Sequence, residues 1–147
     1  MATLCLLDNI VLPGFLAGLR PRPEVTARGE ELMERMGIAK LATSGVTEVS
    51  GGQLQRAGIC RALINDPGIV FADEPTGALN SATALQILDL LGEIHASGTT
   101  LVMVTHDTQV AARADRVLVL VDGQITEDLL LGKYEEAEGP SRLAPVT

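Results

Sequence analysis

The sequence predicts an α/β layer structure built on a largely parallel sheet. Three observations carry this. From about residue 53 the apolar pattern alternates between helical and strand-like segments. Gly68–Ala72 is a short continuous apolar run, as in a strand buried on both faces, and Thr99–Thr105 reads as a second buried strand. A helix-length segment separates them, which is the spacing a parallel crossover needs.

The elements follow in order. Leu4–Leu19 is apolar and reads as a short helix and connector, and Arg20-Pro21-Arg22-Pro23 is a stiff break. Glu24–Met36 has helical spacing, with Val25, Leu32, Met33 and Met36 on one face, and Gly37 follows as its C-cap. Leu41–Val49 is a loop of small and polar residues. Gln53–Asn65 reads as a helix stopped by Asp66-Pro67. After the Gly68–Ala72 strand, Pro75–Asn80 turns into a helix at Ser81–Ala96, with Ser81 as its N-cap. Thr99–Thr105 is the second strand and Thr108–Ala114 a short helix. Arg116–Val121 and Gln124–Glu127 are strands joined by the hairpin turn Asp122-Gly123. Leu129–Thr147, acidic and Pro-containing, reads as a mobile tail. There is no internal repeat.

Composition narrows the function classes. The 147 residues include 46% hydrophobic side chains, enough for a globular core and too many for global disorder. With a net charge of −8 and only 2% aromatics, the chain is a poor phosphate binder over its whole surface and offers no base-stacking platform, which argues against nucleic acid as a partner. Cys5 and Cys60 make neither a disulfide framework nor a zinc site, and read as small buried apolar residues of a reducing compartment. No stretch is long enough to span a membrane, and the first basic residue is Arg20, so the start lacks a signal-peptide pattern.

Three segments carry chemistry. The Ile69–Ala72 run ends abruptly in Asp73-Glu74. Ligands gather at the carboxyl ends of parallel strands, where Asp73 would hold Mg²⁺ and Glu74 would orient or deprotonate a water. Ser50-Gly51-Gly52-Gln53 opens a helix with exposed amides that let a phosphate come close. His106 directly follows the second strand. Taken singly, each has a plain structural reading: acids that begin a loop, a glycine-rich N-cap, a hydrogen-bonding histidine. His95, late on a helix, has only that structural reading.

Together and in this order the segments resemble the ATP-binding subunit of ABC transporters, from about Leu4 to Tyr134. The resemblance implies a P-loop NTPase fold, incomplete at its N-terminus. Residues 1–50 would be part of the helical subdomain that docks on a membrane permease. Residues 51–128 would be the C-terminal part of the ATPase core, and 129–147 the tail. It further implies that Ser50, Gly51, Gly52 and Gln53 form the signature loop, which clamps the γ-phosphate of ATP held by a second ATP-binding subunit. Asp73 would be the Mg²⁺-associated carboxylate, Glu74 the general base, and His106 the switch histidine. Gly77–Asn80 would be the loop that communicates across the dimer. Val49 and Asn80 stand where the family usually has leucine and aspartate. The implied activity is ATP hydrolysis that drives export, at the inner face of the cell membrane. Ala72–Ser81 and Leu131-Gly132-Lys133-Tyr134 look like the branch that exports macrolides, lipoproteins and antimicrobial peptides. The ABC ATPases of DNA repair share the signature loop, but their coiled coils and zinc modules have no counterpart here.

The phosphate-cradling pattern Gly-x-x-x-x-Gly-Lys-Ser/Thr is absent from the 147 residues. In the family it lies upstream of the signature loop. The expectation is therefore that this chain alone is inactive as an ATPase. The alternative expectation is a non-catalytic half-site protein that pairs with a complete subunit or a permease.

Overall fold

The structure is a computed structural model and describes residues 4–77 and 79–132. Ala78, Lys133, Tyr134 and most of the expected tail lie outside the described residues. Two compact units divide the chain, Met1–Met103 and Val104–Thr147.

The first unit begins with α1 (Leu6–Ala17), which contains Pro13. Two of its orphan amides are satisfied by a loop distant in sequence: Leu6 and Leu7 donate to the carbonyls of Ser44 and Ala42 at 2.9 and 3.0 Å. Cys5 is the N-cap, its thiol accepting from the Asp8 amide and donating to the Asp8 carboxylate. Cys5 is thus a half-buried polar cap, not the buried apolar residue expected. Cys60 is fully buried, and desolvation pushes its thiol up to about 12.

α2 (Arg22–Arg35) starts earlier than its apolar spacing suggests, because Pro21 sits at the N-cap and Pro23 in the first turn, where no amide is needed. Met36 is its C-cap. Gly37, one residue beyond, adopts φ +67°, and the Gly37 and Ile38 amides close back onto Glu34 and Met33. After a 3₁₀ turn at Ala39–Leu41 comes α3 (Gly51–Leu63). It takes in both glycines that the sequence reading left outside. First-turn amides have no intrahelical partner, so glycine there costs little, and Ser50 caps the end.

β1 (Ile69–Asp73), α4 (Ser81–Ala96) and β2 (Thr100–Val104) form the crossover, and β1 and β2 pair in parallel. Asn80, not Ser81, caps α4. Its backbone is extended and its side-chain oxygen accepts from the Thr83 amide at 3.0 Å. His95 bonds through Nδ1 to the Thr99 carbonyl at 3.2 Å, the structural role its place on the helix suggested.

The core gathers Leu6, Ile10, Val25, Leu32, Met33 and Cys60 with Ile87, Leu91 and Ile94. Val70, Leu101 and Met103 press the inner faces of β1 and β2 onto it. Burial on both strand faces is not what the structure shows. Residues alternate, and Ile69, Phe71 and Val102 stand exposed. Within the first unit no second layer covers them among the described residues.

An ion cluster ties the turn after α3 to the helices before it. Asp66, at φ +47°, accepts from Arg20 at 2.5 Å and from Arg28 at 2.8 Å, and Arg28 also reaches Glu31. The Arg20 hydrogen bond and the charges of both arginines hold the Asp66 carboxyl below its ordinary 3.8, against a smaller opposing effect of burial. The folded state therefore binds this proton more weakly than the unfolded chain. Its contribution is complete above the ordinary carboxylate range and is lost as pH falls through the lowered value. Exposed pairs of this kind contribute about 0.2–1 kcal/mol each. Asp66→Asn, which also tolerates positive φ, is expected to remove part of the acid-side loss of stability. Urea titrations of both proteins at neutral pH and near pH 3 would show it; equal pH dependence in the two would contradict the assignment.

The second unit holds α5 (Thr108–Ala111), capped by Asp107, and the antiparallel pair β3 (Arg116–Val121) and β4 (Gln124–Leu130). Asp122 and Gly123 both have positive φ, as the two-residue turn requires. The register shifts at Val119/Leu120, and β4 continues past the Glu127 end read from the sequence.

Candidate functional site

α3 begins at a reciprocal cap. The Ser50 hydroxyl accepts from the Gln53 amide at 3.3 Å, and the Gln53 carbonyl oxygen Oε1 accepts from the Ser50 amide at 2.8 Å. This pins the loop and leaves the first-turn amides of Gly51 and Gly52 without an intrahelical acceptor. Both glycines line a cleft of about 380 Å³, together with Ser50, Gln53, Asn80 and Arg56. A Cβ on Gly52 would lie 2.5 Å from Thr83 Cγ2, so only glycine lets α3 approach α4 this closely.

Arg56 was missed from the sequence. It lies one turn beyond Gly52 on α3, and that i, i+4 spacing was the available signal. Its guanidinium donates to the Met36 carbonyl at 3.0 Å and to Gln86 Oε1 at 2.6 Å. It thereby links the end of α2 to α4 and adds positive charge beside the helix terminus. The cleft fits one anionic group of phosphate character: backbone amides, a helix N-terminus and a cation converge there.

Asp73 and Glu74 do not line the cleft. Asp73 closes β1 and shares its exposed face with Ile69 and Phe71. Glu74 follows at φ +43°, a conformation that non-glycine residues seldom adopt and that concentrates at functional sites. The turn it opens is tied by the Gly77 amide to the Glu74 carbonyl at 3.1 Å, and the Glu74 carboxylate lies alongside Gly77. The same loop runs on through Leu79 to Asn80, both of which line the cleft. A single loop thus connects the two carboxylates to the phosphate-type pocket. Among the described residues no cluster of three or more His, Cys, Asp and Glu could hold a metal alone. One carboxylate is nonetheless a sufficient protein share for Mg²⁺ carried on phosphates. His106 stands exposed in the second unit, just before the Asp107 cap.

The chain is similar to several known proteins. The chain is 45% identical over 121 residues to the macrolide export ATP-binding/permease protein MacB of Rhodospirillum rubrum, which covers 82% of this chain and 18% of that protein. It is 41% identical to the MacB protein of Mannheimia succiniciproducens over 87% of this chain and 20% of that one. The chain therefore spans about a fifth of the length of these curated relatives. Among solved structures it superposes on MJ0796, a bacterial ABC transporter cassette seen as a dimer. The TM-score is 0.78 at 36% identity, over 91% of this chain and 60% of that one. The same cassette, in a post-hydrolysis dimer bound to ADP and Pi, gives 0.77 at 35%. The P-loop NTPase fold expected from the resemblance is the fold of these cassettes, present here in part. The sequence model of the family described as ABC transporter matches residues 3–77, and the chain belongs to that family.

Proposed function

We propose that this chain supplies the signature side of an ATP site in an ABC exporter. The observation that carries the reading is the Ser50–Gln53 cap, whose glycine amides open into a cleft with Arg56 and Asn80 on its walls. In this reading Gly51, Gly52 and Ser50 grip the γ-phosphate of ATP bound to a second ATP-binding subunit. Asp73 holds Mg²⁺, which when bound neutralises charge on the phosphates. Asp73 and Glu74 lie outside that cleft, so in this reading Glu74 takes the proton of the attacking water at a separate site, the one whose phosphate loop joins this chain's own sheet, and His106 is the histidine that the resemblance assigns to the γ-phosphate. The Glu74–Asn80 loop carries the state of the carboxylates to the dimer partner.

A permease is the second partner, since the relatives are ATP-binding/permease proteins. Leu16 and Leu19, 78% and 77% exposed at the end of α1, would offer it an apolar contact, and in this reading the chain sits on the inner face of the membrane. The names of the relatives make macrolides the first substrate class to test. No helix among the described residues is long and apolar enough to cross a membrane. Because the 147 residues contain no phosphate-cradling loop, ATP turnover depends on one supplied from elsewhere.

The test uses the complete cassette of the Rhodospirillum rubrum relative with its own signature serine replaced, so that it cannot turn over ATP alone. Adding this chain is expected to restore ATP hydrolysis, and Ser50→Arg in this chain is expected to abolish the rescue. Absence of rescue by the unmodified chain would refute the reading.

A further inference from the structure

Three side-chain amides line the cleft at the Ser50 cap, and in each the carbonyl oxygen is already engaged. Gln53 Oε1 accepts from the Ser50 amide at 2.8 Å, Asn80 Oδ1 from the Thr83 amide at 3.0 Å, and Gln86 Oε1 from the Arg56 guanidinium at 2.6 Å. The other end of each amide is an NH2 group, which only donates. Arg56 is the one charged side chain among the described lining residues, none of which is a carboxylate. Its second bond goes to the Met36 carbonyl at 3.0 Å. Both acceptors are neutral oxygens, so the guanidinium is fixed in place with its charge intact, in a chain whose net charge is −8.

Stability alone does not favour glutamine at position 86. A glutamate there would hold Arg56 by a charge-assisted bond, about twice as strong as a neutral one. Gln86 is exposed on α4, so a carboxylate would stay hydrated and cost little to place. Glutamine and glutamate are also equal as helix formers. What glutamine does and glutamate cannot is hold the guanidinium without cancelling its charge.

We propose that Gln86 is a positioning residue of the cleft that acts through Arg56. It fixes the guanidinium by a neutral hydrogen bond, so that the cleft presents donors and an uncompensated positive charge to a phosphate group. Gln86 thereby sets how strongly the cleft discriminates for phosphate charge. This deepens the ATP-site reading and rests on it for one point, that the phosphate belongs to ATP on a second subunit. An inorganic polyphosphate tests the charge argument without that subunit.

The experiment titrates inorganic tripolyphosphate into the 147-residue chain, with the Gly51 and Gly52 amide resonances reporting binding. Rescue of the signature-defective Rhodospirillum rubrum cassette is measured beside it. Gln86→Glu keeps the bond to Arg56, so Tm is expected to hold or rise. Its tripolyphosphate affinity is nonetheless expected to fall about three- to tenfold, the effect of cancelling one charge at a partly exposed site, and the difference is expected to shrink at high salt. In the rescue assay KM for ATP is expected to rise by a similar factor, with kcat little changed. Gln86→Leu loses the bond and keeps the charge, and is expected to lower Tm while weakening tripolyphosphate less than Gln86→Glu does. A purely structural Gln86 predicts the reverse order. Ala96→Glu adds the same charge about 15 Å further along α4, and is expected to change neither affinity nor KM. Gln86→Glu within about twofold of the unmodified chain in both assays would overturn the proposal. An unmodified chain that neither responds to tripolyphosphate nor rescues would overturn it together with the ATP-site reading. Charge-sensitive tripolyphosphate binding without rescue would uphold the role of Gln86 and reject the ATP-site reading. Rescue that ignores Gln86→Glu would uphold that reading and reject the role of Gln86.

Discussion

Glu74→Gln is expected to lower ATP turnover by about 10²–10⁴-fold in the assembled ATPase, the range for loss of a positioned general base. The substitution keeps the size of the side chain and its place in the Glu74–Gly77 turn. It removes only the ability to accept a proton. ATP binding is therefore expected to persist, with KM changed far less than kcat, since the loss falls on the transition state. Backbone strain supplies the control. Glu74 sits at φ +43°, which costs a non-glycine residue about 1 kcal/mol or more. Glu74→Gly relieves that strain and is expected to raise the thermal midpoint while being as inactive as the glutamine variant. If strain alone maintained the site, the two variants would differ in activity; if the carboxylate does the chemistry, they differ only in stability. Single-turnover measurement on the complex of this chain with a phosphate-loop polypeptide would decide it. A glutamine variant within about threefold of the unmodified rate would remove Glu74 from the role of base.

The contrast between β1 and α3 shows what the sequence makes legible. The order of helices and strands after residue 50 follows from apolar spacing, and the structure has that order. The apolar run Ile69–Ala72 implies cover on both faces because its composition reflects a complete layered domain. The structure exposes Ile69 and Phe71 because composition records what a strand is made to meet, not what is present to meet it. Helix starts were off by small steps for a local reason. At Gly51 and Gly52 the unpaired first-turn amides make glycine acceptable inside the helix. At Asn80 the shorter route from side-chain oxygen to the Thr83 amide displaces Ser81 from the cap. What could not be read were contacts between residues far apart in sequence. Asp66 meets Arg20 and Arg28 across 46 and 38 positions, and Arg56 meets Gln86 across 30. The candidate site divides in the same way. Ser50, Gly51, Gly52 and Gln53 are neighbours in sequence, and their cap follows from local chemistry. The joining of that cap to Asn80, and the presence of Arg56 between them, depend on how α3 and α4 pack.

Gly29→Leu is expected to destabilise the first unit by about 3 kcal/mol, the upper end of the usual cost of overpacking. α1 and α2 cross through two reciprocal glycine contacts. A Cβ on Gly29 would lie 2.6 Å from Val11 Cγ1 and 3.2 Å from Leu7 Cδ1, and a Cβ on Gly14 would lie 2.5 Å from Val25 Cγ1. Val11 and Val25 are 2% and 3% exposed and have nowhere to withdraw. Alanine at position 29 would gain up to about 1 kcal/mol in helix propensity, so Gly29→Ala sets a gain against a clash and is expected to be mildly destabilising. Leucine adds bulk without adding propensity, and the helices must separate. For a chain of this size about 3 kcal/mol corresponds to a fall in Tm of roughly 6–12 °C. Val11→Ala, which vacates the opposing space, is expected to recover part of the loss in the Gly29→Ala background, a coupling that a double-mutant cycle measures. The consequence reaches the site through one bond. α2 ends at Met36, whose carbonyl accepts from Arg56 in the cleft wall. If α2 is pushed off α1, that acceptor moves and Arg56 loses a partner on the side facing the Ser50 cap. Gly29→Leu is therefore expected to weaken rescue of the signature-defective cassette at temperatures well below its own Tm. A variant with reduced Tm but full rescue would show that Arg56 is held by Gln86 alone, and that the α1–α2 crossing serves stability without positioning the site.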